Sequence, residues 1–276
     1  MNDDCNFVKI IREICAENQI TVETFSHNWI WKLTKNNLTK YIFDYSFDLN
    51  PSVATKICRD KSAATDIMNS LSIPNVQHHF FINPEEQFRI SNDRGNYEEM
   101  LKFLDKYGKV VAKDNTGSGG NLVFHANNQC GLELAAHEIF GRGRNLALSP
   151  FEQIEHEYRI VLLDDQPRVI FEKVREVDSA GQSTEWRHNL GKGAHAKLMS
   201  LDSAENREII ELTQYVTKTF GLRFASCDVI RTLDGELKII EINTGVDMEY
   251  FSKQGTKEFA LAKEIYRAAI DKMFEC

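Results

Sequence analysis

This 276-residue chain lacks several features, and each absence excludes a class of protein. Its six cysteines are Cys5, Cys15, Cys58, Cys130, Cys227 and Cys276, and no two form a Cys-x-x-Cys pair. That spacing indicates neither a zinc ribbon nor a dithiol redox motif. Thiols scattered through a chain of this length read as reduced, cytoplasmic cysteines. No apolar run approaches the roughly 20 residues of a membrane-spanning helix. The opening Met-Asn-Asp-Asp has the wrong charge for a secretory signal. Positive charge is in deficit, with 33 Lys and Arg against 41 Asp and Glu and a net charge of −8. This argues against nucleic acid or an anionic membrane as the main partner and leaves room only for a local basic pocket. Internal repeats and low-complexity segments are also missing. What remains is 42% hydrophobic and 27% charged, the make-up of a soluble globular protein. The length suits one large or two modest domains.

The most informative stretch runs from Phe224 to Asn243. Two β-rich runs flank Asp234-Gly235, a strong short-range hairpin signal. A two-residue turn there, counted outward, sets Ile230 against Ile239, Val229 against Ile240 and Asp228 against Glu241. Asn243 lies two residues past Glu241 and shares its face. Opposed carboxylates repel and weaken a sheet, and a divalent cation would remove the penalty. Two carboxylates and a side-chain carbonyl are hard oxygen ligands, which suit Mg²⁺ better than zinc. The competing reading is a solvated hairpin edge, which apolar residues on both faces oppose.

Elsewhere, apolar spacing predicts helices over residues 4–18, 61–71, 97–107, 129–140, 205–220 and 257–274. Asp60 is a good N-cap for the second, Gly108 closes the third and Gly221 closes the fifth. Residues 20–47 are aromatic and read as a small N-terminal module with some strand. Strands are expected at 76–82, 109–113, 121–124 and 155–163, then through Asp164-Asp165 into 168–175. Leu148 to Ile154 reads as a connector, and Gly141 to Arg144 as a breaker near a lobe boundary. Phe171, Lys173 and Arg175 share one strand face, which could carry two cations together; a solvated face is the alternative. Trp186 to Gly193 is a polar loop made locally basic by Arg187, His188 and Lys192.

Between two of these strands lies Asp114-Asn115-Thr116-Gly117-Ser118-Gly119-Gly120. Glycines permit positive φ and let backbone N–H groups converge on an anion. No Gly-Lys-Ser/Thr is present and no helix follows directly, so a P-loop and a Rossmann fingerprint are disfavoured. Lys113, ending the first strand, would reach a phosphate as a point charge. The alternative is an ordinary long hairpin loop.

Four pieces therefore stand in a fixed order: Asp60-Lys61, Lys113 with Gly117 to Gly120, Glu152-Gln153-Ile154 through Glu157, and Asp228…Glu241-Ile-Asn243. The arrangement resembles the ATP-grasp superfamily, and within it the RimK-like carboxylate–amine ligases, over roughly residues 59 to 250. The resemblance implies an α+β fold, with two α+β lobes whose antiparallel sheets grip ATP. The lobes would be 59–148 and 149–276, after a short N-terminal module at 1–58. It implies that Lys61 and Lys113 are nucleotide lysines and that Gly117, Ser118, Gly119 and Gly120 form the phosphate lid. Glu152, Gln153 and Ile154 would meet adenine, and Glu157 the ribose. Asp228, Glu241 and Asn243 would hold Mg²⁺, or Mn²⁺ in its place. Arg187 and Asn189 would form an Arg-x-Asn element beside the γ-phosphate and acceptor. From the strand face and the basic loop, Lys173 joins Arg187 as a candidate catalytic residue, and Arg175 and His188 join Asn189 as candidate substrate residues. The implied reaction is ADP-forming ligation of a carboxylate to an amine, on an amino acid or peptide. Two departures are a short N-terminal module and a tight Glu152–Glu157 connector. Other readings are a kinase that stops at phosphoryl transfer, and a non-catalytic nucleotide-binding module, which the full set of metal ligands and lysines disfavours.

Overall fold

The computed structural model describes residues 1–85, 97–176 and 186–275, so Cys276 lies outside them. Helix α1 (Asn6–Glu17) forms where Phe7, Ile10, Ile11 and Ile14 recur at helical spacing and bury as one stripe. The aromatic stretch after it is a meander of β1 (Thr21–Phe25), β2 (Ile30–Lys35), β3 (Leu38–Phe43) and β4 (Ser46–Phe47), paired in that order. Trp31, Leu33 and Ile42 fill its inner face. Two helices follow, α2 (Ser52–Arg59) and α3 (Lys61–Ser70). Asp60 caps α3 as expected, accepting the Ala63 N–H at 2.9 Å.

Strand β5 (His79–Phe81) is shorter than the sequence suggested. The backbone just before it is committed elsewhere. The Val76 N–H donates to the Ile239 carbonyl at 2.9 Å, and the Ile239 N–H donates to the Pro74 carbonyl at 3.0 Å. Then come α4 (Tyr97–Tyr107), β6 (Val110–Asp114), β7 (Val123–Ala126), α5 (Gln129–Phe140) and β8 (Leu146–Pro150). These strands form a sheet in the order β5-β8-β6-β7. The sequence reading of Leu148 onward as connector is corrected here: β8 is a central strand pairing with both β5 and β6. Leu146, Ala147 and Leu148 are all fully buried. A strand covered on both faces has no polar alternation to betray it.

The chain continues through β9 (Ile154–Leu163), β10 (Gln166–Val174), β11 (His195–Leu198), α6 (Arg207–Phe220), β12 (Phe224–Thr232), β13 (Leu237–Asn243), α7 (Glu249–Ser252) and α8 (Thr256–Phe274). The third sheet has the order β11-β10-β9-β12-β13. Asp164 and Asp165 both have positive φ, the geometry of a tight hairpin turn, as the Asp-Asp pair suggested.

Two compact units result. The first comprises Met1–Thr55, Glu157–Asp228 and Asn243–Cys276, and the second Lys56–His156 and Val229–Ile242. In the first, Phe7 packs edge-on against Trp31, Tyr45, Phe47 and Tyr266, with ring centroids 4.9–6.3 Å apart. The second is built on Phe81, Met100, Val110, Leu132, Ile139 and Leu148. Among the described residues no helix is long and apolar enough to cross a membrane.

Candidate active site

In the first unit, a cluster of buried charge forms on β9, β10 and β12. Glu157 and Arg159 alternate along β9 and share a face. The β9–β10 ladder shifts between Pro167 and Val169, and beyond the shift Arg159 lies opposite Phe171. Proline cannot donate to a ladder, which makes this a natural place for a bulge. Lys173 follows two residues after Phe171, and its Nζ lies 2.7 Å from Glu157 Oε1 and 2.9 Å from Asp228 Oδ1. Arg159 grips Asp228 bidentately, Nε to Oδ1 and Nη2 to Oδ2, both at 2.7 Å. Asn243 Nδ2 stands 3.5 Å from Asp228 Oδ2.

Glu157, Lys173 and Asp228 are 8%, 5% and 5% exposed, so none is solvated enough to stand alone. Two carboxylates and two cations balance. Burial pushes the Asp228 carboxyl up, but the Arg159 and Lys173 charges and their hydrogen bonds outweigh it and hold the group well below the usual carboxylate range. Lys173 therefore does not lie on a solvated sheet face.

The basic loop docks along the end of the same strand. His188 Nδ1 meets the Lys173 carbonyl at 3.0 Å, and Arg175 donates to the Trp186 carbonyl at 3.4 Å. Burial lowers His188, against the pull of Glu157 and the Lys173 carbonyl, and favours the neutral ring. Asn189 accepts the Gly191 N–H at 2.8 Å and shapes a short 3₁₀ turn. Arg187 is half-buried beside them in sequence.

In the second unit, the glycine loop joins β6 to β7. Gly119 and Gly120 have φ of +67° and +70°. A Cβ at Gly117 would fall 2.8 Å from Asp114 Cβ, so the loop can fold back on Asp114 only with glycine there. Ser118 is exposed. The loop base is fixed to α3: the Lys61 N–H donates to the Asn115 carbonyl at 3.0 Å, and the Ser62 N–H donates to Asn115 Oδ1 at 3.1 Å. Lys61 Nζ donates to the Gly117 carbonyl at 2.6 Å and pairs with Glu241 at 3.3 Å. Lys113 Nζ lies 3.3 Å from His78 Nε2. In the expected adenine connector, Glu152 pairs with Lys238 at 3.2 Å, and the Gln153 carbonyl accepts the Leu233 N–H at 3.0 Å. Ile154 opens β9.

Two expectations are corrected. The Asp234-Gly235 turn is not a two-residue turn. The Gly235 N–H donates to the Thr232 carbonyl and the Thr232 N–H to the Glu236 carbonyl, both at 2.9 Å. Leu233, Asp234 and Gly235 thus form a three-residue loop, with Gly235 at φ +86°. The burial of β13 also changes phase, with Leu237, Ile239 and Ile242 inside. The second correction concerns charge. Asp228 and Glu241 were expected to repel unless a metal intervened, yet each has cations of its own: Arg159 and Lys173 for one, Lys61 for the other.

The side chains expected to hold magnesium are hard oxygen donors. Asp228, Glu241 and Asn243 offer two carboxylates and an amide oxygen. Among the described residues no group of three or more His, Cys, Asp and Glu forms an all-protein cage. Magnesium bound with substrate phosphates typically uses only one or two carboxylates. The sequence reading missed Arg159, His78 and Asp114. Arg159 was legible as the residue two past Glu157 on a strand. His78 carried no motif.

The profile of the RimK-like ATP-grasp domain matches residues 58–268. A probable alpha-L-glutamate ligase of Shewanella halifaxensis is 26% identical over 204 residues, which cover 73% of this chain and 40% of that protein. One from Marinomonas sp. is 24% identical over 226 residues, covering 81% and 68%. The chain thus spans as little as two fifths of the curated relatives it matches. Among solved structures, a RiPP-associated ATP-grasp ligase of Chryseobacterium gregarium, in complex with ADP and a leader and core peptide, aligns over 99% of this chain and 95% of its own at TM-score 0.61 and 16% identity. The D-alanine–D-alanine ligase of Bacillus anthracis aligns over 82% and 69% at TM-score 0.59 and 17% identity. The fold is the ATP-grasp fold, α+β with antiparallel sheets, and with most of its length matched by the profile, the chain belongs to the RimK-like ATP-grasp family.

Proposed function

We propose that this chain is an ATP- and Mg²⁺-dependent, ADP-forming ligase that joins a carboxylate to the amine of an amino acid or peptide. The observation that carries the reading is the buried, charge-balanced cluster of Glu157, Lys173, Arg159 and Asp228 in a chain of this family. A structural role alone would be met as well by apolar residues, since buried ion pairs contribute little net stability. Glutamate is the first amino acid to test, because relatives are described as glutamate ligases. A peptide substrate is next, given the peptide-bound Chryseobacterium enzyme.

Ligation proceeds in two displacements. A substrate carboxylate oxygen attacks the γ-phosphorus of ATP, and the bond to the ADP oxygen breaks. The amine then attacks the acyl carbon, loses a proton and expels phosphate, leaving an amide. Both steps gather negative charge, so they need fixed cations rather than a protein nucleophile. Lys61 and Lys113 supply charge to the phosphates, and Arg187 and Lys173 to the transferring phosphoryl. Gly117 to Gly120, with Ser118, close over the phosphates and exclude water that would hydrolyse the acyl phosphate. Glu152, Gln153 and Ile154 receive adenine and Glu157 the ribose, while Arg175, His188 and Asn189 face the acceptor. Asp228, Glu241 and Asn243 would hold the metal, Mg²⁺ or Mn²⁺, which when bound neutralises phosphate charge. Reduced thiols at Cys15 and Cys58, pushed up to about 12 by burial and hence inert, suit a cytoplasmic setting.

The test is a screen of amino acids, glutamate first, and of peptides for ATP-dependent phosphate release, followed by mass measurement of the product. An amide with stoichiometric ADP is expected. A phosphorylated acceptor that accumulates without amide would replace the ligase reading with a kinase.

A further inference from the structure

Lys113 ends β6 at the start of the glycine loop, and one partner of its ammonium is a histidine. Nε2 of His78 lies 3.3 Å from Lys113 Nζ. His78 is 3% exposed, in the segment between α3 and β5. Its other ring nitrogen, Nδ1, lies 3.4 Å from Oγ1 of Thr65, itself 2% exposed on α3. An ammonium offers protons and no lone pair, so Nε2 accepts. The single ring proton of neutral histidine is then on Nδ1, the nitrogen that Thr65 Oγ1 faces. The surroundings favour that neutral ring. Burial, then the charges of Lys113 and Lys61, push His78 well below the usual imidazole range, and a backbone hydrogen bond to Val76 opposes them only in part.

We propose that His78, oriented by Thr65, is a positioning residue that fixes the Lys113 ammonium for the nucleotide phosphates. The inference rests on the reading of Lys113 as a nucleotide lysine. The choice of residue follows from charge. A lysine has four flexible carbons to order, and ordering it before the ligand arrives raises affinity. A carboxylate at this place would hold the ammonium but cancel the charge that a phosphate needs. A buried imidazole that stays neutral holds it and leaves the charge intact. The support continues through α3: Lys61, which reaches the Gly117 carbonyl, and Thr65 are one helical turn apart on the same face.

The test is calorimetric ADP binding to the full chain, as a double-mutant cycle. His78→Phe is expected to bind ADP about tenfold more weakly than wild type, and His78→Gln, which keeps an acceptor, to lose only about threefold. In a Lys113→Met background, His78→Phe is expected to change nothing further. Equal affinity in wild type and His78→Phe, or the same loss in both backgrounds, would overturn the proposal. If His78→Phe does not fold by circular dichroism, Thr65→Val takes its place in the cycle, with the same outcomes. The ¹⁵N shifts of His78 at neutral pH decide independently of nucleotide. Protonation at Nδ1 alone is expected, and the opposite tautomer or a doubly protonated ring overturns the proposal. Wild type that binds no ADP would sink the ligase reading and overturn the nucleotide role of this pair with it, whereas ADP binding that His78→Phe leaves unchanged would overturn this proposal alone.

Discussion

Replacing Lys173 with methionine keeps much of the side chain's length and apolar stem while deleting the charge that bridges Glu157 and Asp228. In the wild-type protein its Nζ lies 2.7 Å from one carboxylate and 2.9 Å from the other. Asp228 retains Arg159 at 2.7 Å in the variant, so its compensation is reduced but not lost. Glu157 loses the ion pair described for it, at a position where its side chain is 11% exposed. Removing one partner of a buried pair costs about 3–5 kcal/mol. The surviving arginine and the small opening to water at Glu157 place this case at the lower end, about 3 kcal/mol. Urea unfolding followed by tryptophan fluorescence would measure it as a lower midpoint at unchanged slope. Adding Glu157→Gln to Lys173→Met removes the stranded charge and should recover about half of the loss. A cost below about 1 kcal/mol, or no recovery in the double variant, would refute the view that these four side chains balance one another.

Glu241→Gln should abolish magnesium-dependent turnover, since an amide is a poorer ligand for a hard dication. It should also lower the melting temperature without nucleotide, because Lys61, 7% exposed, loses its ion pair; a rise in apo stability would restore the repulsion argument. Arg187→Ala should lower kcat far more than it weakens ATP binding, as expected of a group acting on developing charge, and a change in the ATP Kd alone would contradict that role. Asp247→Asn should raise the melting temperature near neutral pH. Burial pushes the Asp247 carboxyl up, so its charged form destabilises the fold above the unfolded-state pKa of about 3.9, and below that pH the group is protonated in both states. The amide keeps an oxygen for the Glu249 N–H at 2.8 Å. The gain should therefore shrink as pH falls toward about 4, and an equal gain at every pH would show that charge is not the cause.

Helices were the most legible part of the chain. Asn6–Glu17, Lys61–Ser70, Tyr97–Tyr107, Gln129–Phe140, Arg207–Phe220 and Thr256–Phe274 all follow from apolar spacing and from caps such as Asp60 and Gly221. Each of these helices buries one stripe, so its period appears in the residues. Strand β8 did not show, because both its faces are covered. Register was the weakest inference. At Asp234-Gly235 a third loop residue intervened. A single inserted residue reverses which face a side chain joins. The charges of the site were legible as residue types, since Lys61, Lys113, Lys173, Asp228, Glu241 and Asn243 stood out by kind and order. Their partners were not, because Arg159 and His78 act through contacts that only the folded chain creates.

Helix α1 buries its stripe against residues that come near the opposite end of the chain. Phe7 packs on Tyr266 at 5.2 Å, and its N–H donates to Glu249 at 2.9 Å across 242 residues. A ribosome adding about 5–20 residues per second needs on the order of ten seconds or more to travel from α1 to α8. Until then the α1 stripe is covered only in part, by Trp31, Tyr45 and Phe47 of the meander. The second unit lies between those ends in sequence, so all of its residues are made before α8 appears. During translation α1 thus completes its native packing only after α7 and α8 have been made, long after its own synthesis, which leaves part of an apolar stripe for chaperones that shield such helices on nascent chains.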